Sequence, residues 1–124
     1  MLAREFMTED VLTVHPDHGF NRVEIMAELK HVRHVPVVNE DSELIGIVSI
    51  RDLLGHLSNA AASHFAPIRE VMSKDLVTAS PDSDIKEVAR LMRDRKVGCV
   101  PIVDDGKLVG LISERDFLSL IDTL

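Results

Sequence analysis

The same text runs through this chain twice. Laid over itself at an offset of 65 positions, Phe6–Glu40 meets Val71–Asp105. Met7, Asp10, Thr13, Pro16, Asp17, Val23, Val32, Val35, Pro36 and Val38 fall on identical residues. Skipping one residue near Asp41–Ser42 brings Leu44–Leu54 over Leu108–Leu118. Leu44, Gly46, Ser49, Arg51, Asp52 and Leu54 then recur. Most other core positions are aliphatic in both copies. A single gap suffices, so the chain is a tandem duplication, and a repeat of this period governs every later step. Each copy has to adopt one plan, within 124 residues.

Each copy parses the same way. Val11–Val14 and Leu76–Ala79 read as short strands, and Pro16-Asp17 and Pro81-Asp82 as turn and helix-start signals. Ile85, Val88, Ala89 and Met92 recur at i, i+3, i+4 and i+7, one face of a helix. Phe20, Val23, Met26 and Ala27 repeat that stripe. Val35–Val38 and Val100–Val103 are apolar strands, and Asp105-Gly106 is a strong hairpin signal. Leu44–Ile50 and Leu108–Ser113 return, and helices close each copy from about Arg51 and Glu114. The plan is β-α-β-β-α, an α+β fold. Three strands in about 50 residues are marginal alone. We therefore expect two pseudo-symmetric units packed through their sheets into one module. Unit 1 is 1–57, with its N-terminal lead-in. A small, polar, alanine-rich linker spans 58–67, and unit 2 is 68–124.

The most distinctive phrase is Gly46-Ile47-Val48-Ser49-Ile50-Arg51-Asp52, with its twin Gly110-Leu111-Ile112-Ser113-Glu114-Arg115-Asp116. It gathers a hydroxyl, a guanidinium and a carboxylate where a strand feeds a helix. Such corners bind anions and sugars in α/β folds. They also cap helices, since Ser-x-x-Asp is a common helix start.

Composition excludes several functions. Aromatic residues are 3% of the chain and the net charge is −7. That argues against a nucleic-acid surface, which needs stacking platforms or basic faces. No apolar run is long enough for a membrane span. The first eight residues do not read as a signal peptide. A single cysteine, Cys99, allows no intrachain disulfide, so a cytoplasmic location is expected.

The ordered set Met-Thr/Ser, Thr-x-x-Pro-Asp, an amphipathic helix, Val-Pro-Val/Ile-Val and Gly-aliphatic-aliphatic-Ser-x-Arg-Asp resembles the cystathionine β-synthase (CBS) domain family. Two copies resemble a Bateman module, over about Phe6 to Ile121. The resemblance implies two clefts related by pseudo-two-fold symmetry. They commonly hold adenosine-containing ligands: AMP, ADP, ATP, S-adenosylmethionine, sometimes NAD. It also implies composite clefts. One would combine Thr13, Arg33, His34 and Pro36 with Ser113, Arg115 and Asp116. The other would combine Thr78, Gly98, Cys99 and Pro101 with Ser49, Arg51 and Asp52.

The residues suit that chemistry. An ionised carboxylate accepts from both hydroxyls of a ribose, and hydroxyl and guanidinium groups donate to phosphate. Arg33-His34 against Gly98-Cys99 makes the clefts unequal, the first taking the more highly charged ligand. His34 is its pH-sensitive member.

No catalytic residue or required cofactor is expected, and the chain reads as a non-enzymatic regulatory module. A nucleotide would favour one arrangement of the units. The output would pass to a homodimer through the closing helices (Leu53, Leu54, Leu57; Phe117, Leu118, Ile121) or to a separate effector protein. A ligand-free dimerisation module is the alternative. His15-x-x-His18 and His31-x-x-His34 invite a metal, but neither completes a ligand set. His56 and His64 are expected in solvent. Cys99 has no visible base partner.

Overall fold

A computed structural model describes residues 1–30, 32–57 and 66–123. His31, His64 and most of the expected linker, 58–65, lie outside the described residues. The same holds for the side chains of Ala27, Lys30, Leu53 and Leu57. Along the chain run α1 (Ala3–Phe6), α2 (Asn21–Lys30), β1 (His34–Val38), β2 (Leu44–Ser49) and α3 (Ile50–Leu57). A 3₁₀ turn (Ile68–Glu70) follows, then α4 (Ile85–Arg95), β3 (Cys99–Asp104), β4 (Lys107–Ser113) and α5 (Glu114–Asp122).

The chain forms two compact units, each built on one hairpin. One is contiguous, residues 12–76. The other joins 1–11 to 77–124. The packed units are thus offset from the written repeats, because each lead-in joins the hairpin of the other copy.

In the contiguous unit β1 and β2 pair antiparallel, with His34 opposite Ser49 and Pro36 opposite Ile47. In the discontinuous unit Cys99 lies opposite Ser113 and Pro101 opposite Leu111. Both ladders shift register at the same place, after Val37 and after Ile102. The β3–β4 turn has positive φ at Asp105 (52°) and Gly106 (81°), as a two-residue hairpin turn requires. The longer first turn is tied by Asn39, whose Oδ1 accepts from Asp41 and Glu43 N–H, each at 3.0 Å.

The first strand of each copy contracts to a single parallel bridge. Val14 N–H donates to Pro36 O (3.1 Å) and Val14 O accepts from Val38 N–H (2.9 Å). Ala79 makes the same pair with Pro101 and Val103 (3.1 and 2.9 Å). The next donor on either side falls at 16 and 36, or at 81 and 101. All four are proline and have no N–H to give, so the expected strands do not extend. The opposite edge is closed by the lead-ins. Ile47 and Ser73 exchange backbone hydrogen bonds (3.0 and 2.9 Å), as do Thr8 and Leu111 (3.0 Å both).

Helix starts fall later than Pro-Asp suggests. Those pairs stay in turns, and α4 begins at Ile85, capped by Asp84, whose Oδ1 accepts from Lys86 N–H at 2.9 Å. The apolar stripes face two separate cores. Val14, Phe20, Val23, Val35, Val37, Val48 and Ile68 fill one. Ala3, Val77, Val88, Met92, Val100, Ile102 and Ile112 fill the other. Ile68 and Ala3, which are equivalent residues of the two lead-ins, are fully buried in their respective units.

Candidate functional site

The strand-to-helix corners are built alike. In the contiguous unit Ile50 N–H donates to Arg33 O (2.9 Å), which ties the start of α3 to the residue before β1. In the discontinuous unit Glu114 N–H donates to Gly98 O at 3.0 Å. Each corner closes with a reciprocal Ser-Asp contact. Asp52 Oδ2 accepts from Ser49 N–H (2.9 Å), and Asp52 N–H donates to Ser49 Oγ (3.1 Å). Asp116 Oδ2 accepts from Ser113 N–H (2.7 Å) and from its hydroxyl (3.1 Å). The capping role is real: one oxygen of each carboxylate satisfies a helix-start N–H. Among the described residues, the other oxygen has no hydrogen-bond donor.

The guanidinium groups are less committed. Arg33, Arg51 and Arg115 are exposed, and none pairs with a carboxylate among the described residues. The acidic surface instead engages Arg4 with Asp82, Arg69 with Asp17 and Arg93 with Asp94.

Thr13, Arg33, His34, Pro36, Ser49, Arg51 and Asp52 all belong to the contiguous unit. Thr78, Gly98, Cys99, Pro101, Ser113, Arg115 and Asp116 belong to the discontinuous one. The residues expected to share a cleft are thus divided between the two units. Their surfaces differ. Pro36, Pro101 and Cys99 are buried, Thr13 and His34 are half-buried, and Thr78 is exposed. Burial, with the nearby Glu114 carboxylate, pushes the Cys99 thiol up to about 12. It is a neutral packing group, not a nucleophile.

The first H-x-x-H is a turn. His15 N–H donates to His18 Nδ1 (2.9 Å), and Asp17 N–H to His15 Nδ1 (3.2 Å). His15 Nε2 lies 2.9 Å from Glu40 Oε1. No group of three or more His, Cys, Asp or Glu side chains converges on a metal position among the described residues. The repeat carries the same signal, because Ser80 and Ser83 stand at the equivalent positions and build the same turn. Ser80 N–H donates to Ser83 Oγ, and Asp82 N–H to Ser80 Oγ (3.0 and 3.1 Å).

A model of the CBS domain family matches twice, at residues 3–59 and 68–123. This chain belongs to the CBS domain family. It is 34% identical over 117 residues to an inosine-5′-monophosphate dehydrogenase of Methanocaldococcus jannaschii, covering 94% of this chain and 23% of that protein. The chain spans about a quarter of the length of this dehydrogenase and of the homoserine O-acetyltransferases it also matches. A crystal structure of a Vibrio cholerae protein, provisionally assigned to acetoin utilization (AcuB), superposes with a TM-score of 0.92 at 33% identity. The match covers 99% of this chain and 91% of that one. The CBS domain pair of protein MJ0100, solved with 5′-methylthioadenosine and S-adenosylmethionine, superposes at 0.90. It shares the fold at 24% identity, with coverage of 99% and 97%. No helix among the described residues is long and apolar enough to cross a membrane.

Proposed function

We propose that this CBS pair is a non-enzymatic, cytoplasmic regulatory module that binds an adenosine-containing ligand. AMP, ADP, ATP, S-adenosylmethionine and NAD are the candidates. The observation that carries the reading is the duplicated Ser-x-Arg-Asp corner. In each, among the described residues, a carboxylate oxygen and a guanidinium remain without a protein partner beside a helix start, which suits ribose hydroxyls and a phosphate. The adenosine ligands of the MJ0100 pair support the same class.

The composite clefts belong to this proposal. The cleft of Thr13, Arg33, His34, Pro36, Ser113, Arg115 and Asp116 takes the more highly charged ligand. The cleft of Thr78, Gly98, Cys99, Pro101, Ser49, Arg51 and Asp52 takes a nucleoside or monophosphate. The frame of two repeats, 1–57 and 68–124, joined at 58–67, is part of the same proposal. Binding favours one arrangement of the repeats and is read by a homodimer partner or a separate effector.

A thermal-shift series with AMP, ADP, ATP, S-adenosylmethionine, NAD and zinc tests it, because a ligand of the native state raises the melting temperature. At least one adenine compound is expected to do so at millimolar concentration or below. Asp116→Asn and Asp52→Asn, which keep a capping oxygen, are each expected to abolish one binding event. Flat responses to every adenine compound overturn the proposal. A second reading, a ligand-free dimerisation module, is favoured by Leu54, Leu118 and Ile121, which are 61%, 69% and 65% exposed on the closing helices.

A further inference from the structure

The lead-ins dock on the two units through matching hydrogen bonds. Ile68 N–H donates to His18 O (2.9 Å) and Arg69 N–H to Pro16 O (3.0 Å). Sixty-five positions earlier, Ala3 N–H donates to Ser83 O (2.7 Å) and Arg4 N–H to Pro81 O (3.0 Å). Arg69 pairs with Asp17 as Arg4 pairs with Asp82. The geometry is duplicated, but the chemistry of the receiving turn is not. Two serines hold the second turn. Two imidazoles hold the first.

A backbone N–H can only donate. The Nδ1 atoms of His15 and His18 therefore act as acceptors, and each ring carries its proton on Nε2 when neutral, which at His18 makes the approach of Arg22 Nη1 a donor–donor contact and not a hydrogen bond. Protonating His18 removes the acceptor for His15 N–H. It also sets a second cation beside Arg22, whose Nη1 lies 3.4 Å from His18 Nε2. Serine has no such transition.

We propose that the His15–His18 turn is a proton-sensitive clasp on the Ala66–Glu70 segment, holding it at neutral pH and loosening it in mild acid. The equivalent Met1–Glu5 segment, held by serines, does not respond. The charged surroundings act in both directions. His15, its ring 5.7 Å from that of His18, and Arg22 oppose a charge on His18. Asp17, 3.7 Å from His15 Nδ1, and Glu40, at His15 Nε2, add negative charge to the turn, and Arg69 engages Asp17. His56 packs on Phe20 at 4.3 Å between ring centroids, and Phe20 N–H donates to Ala66 O at 2.9 Å. For His18, slight burial, then Arg22, then His15 lower the pKa. A depressed histidine stabilises the fold above its unfolded value near 6.5, and that contribution is lost as pH falls below it.

Backbone hydrogen exchange tests the clasp, with the molecule as its own control. Between about pH 7.5 and about pH 5, corrected for intrinsic rates, protection at Ile68 and Arg69 is expected to fall roughly threefold or more. Protection at Ala3 and Arg4 is expected to stay level. The double variant His15→Ser/His18→Ser, which writes the second turn into the first, is expected to make both pairs level. Should that variant not fold, the ¹⁵N shifts of the wild-type imidazoles decide. His18 is then expected to titrate below free histidine, in step with the loss of protection. The proposal fails if wild-type protection is level, if both segments respond together, if the variant still responds, or if His18 titrates at or above the free value.

Discussion

The sulfur of Met72 lies over Gly46 so closely that a Cβ there would sit 2.5 Å from Sδ, 3.0 Å from Cγ and 3.2 Å from Cβ. Met7 stands over Gly110 in the same way, at 2.4, 2.7 and 3.1 Å. The obstruction reaches the methionine's own Cβ, so rotating the thioether away does not clear it. Gly46→Ala and Gly110→Ala are each expected to destabilise the fold by about 1–3 kcal/mol, as overpacking does. Urea denaturation checks this. Adding Met72→Ala to Gly46→Ala should recover part of the loss, as positive coupling in a double-mutant cycle.

The corner carboxylates serve the helix before any ligand arrives. Asp116→Ala is expected to cost about 1 kcal/mol without nucleotide, through loss of the contact to Ser113 N–H. Asp116→Asn should cost less, since an amide oxygen accepts equally well there. Denaturation of both variants without ligand separates the cap from any sugar contact.

Cys99 should be inert. Its thiol stands near 12 against an ordinary 9.0. Maleimide labelling in the native state is expected to be far slower than in urea. The linkage also has a sign. The neutral thiol is favoured in the fold, so its contribution is intact below about pH 9 and is lost as pH rises toward 12. Cys99→Ala should flatten that alkaline slope in melting experiments.

Two left-handed positions predict opposite outcomes. Lys96 closes α4 at φ 56°, where a side chain costs energy that glycine avoids. Lys96→Gly is expected to stabilise by up to about 1 kcal/mol. Gly106 sits at φ 81° in the β3–β4 turn, and Gly106→Ala should destabilise by about 1 kcal/mol or more. Melting temperatures of the two variants should move apart.

Much of this was legible because duplication lets each copy check the other. The hairpins, the helix stripes and Asp105-Gly106 stand out in sequence, since periodicity and turn chemistry are local. The Ser-Asp corners were legible too, though spacing alone left capping and binding open. What escaped was relational. Val11–Val14 looks like a strand until Pro16 and Pro36 are seen to be its missing donors. Met7-Thr8 pairs with a hairpin about a hundred residues away, and no pattern within one copy says which hairpin that is. The His15-x-x-His18 turn, by contrast, was legible, because Ser80 and Ser83 at the equivalent positions argue for a turn and against a metal.

The offset between repeats and units bears on how the chain is made. Residues 12–76 are contiguous, so their core can close as soon as Met72 and Ser73 have emerged from the ribosome. The other unit cannot. Its Ala3–Thr8 segment is synthesised before its own hairpin and has nothing to meet until Leu111 appears, and closing so long a loop is slow. The Ala3–Thr8 segment should therefore be among the last parts of its unit to settle, and the half-finished chain should carry one folded unit and one waiting strap.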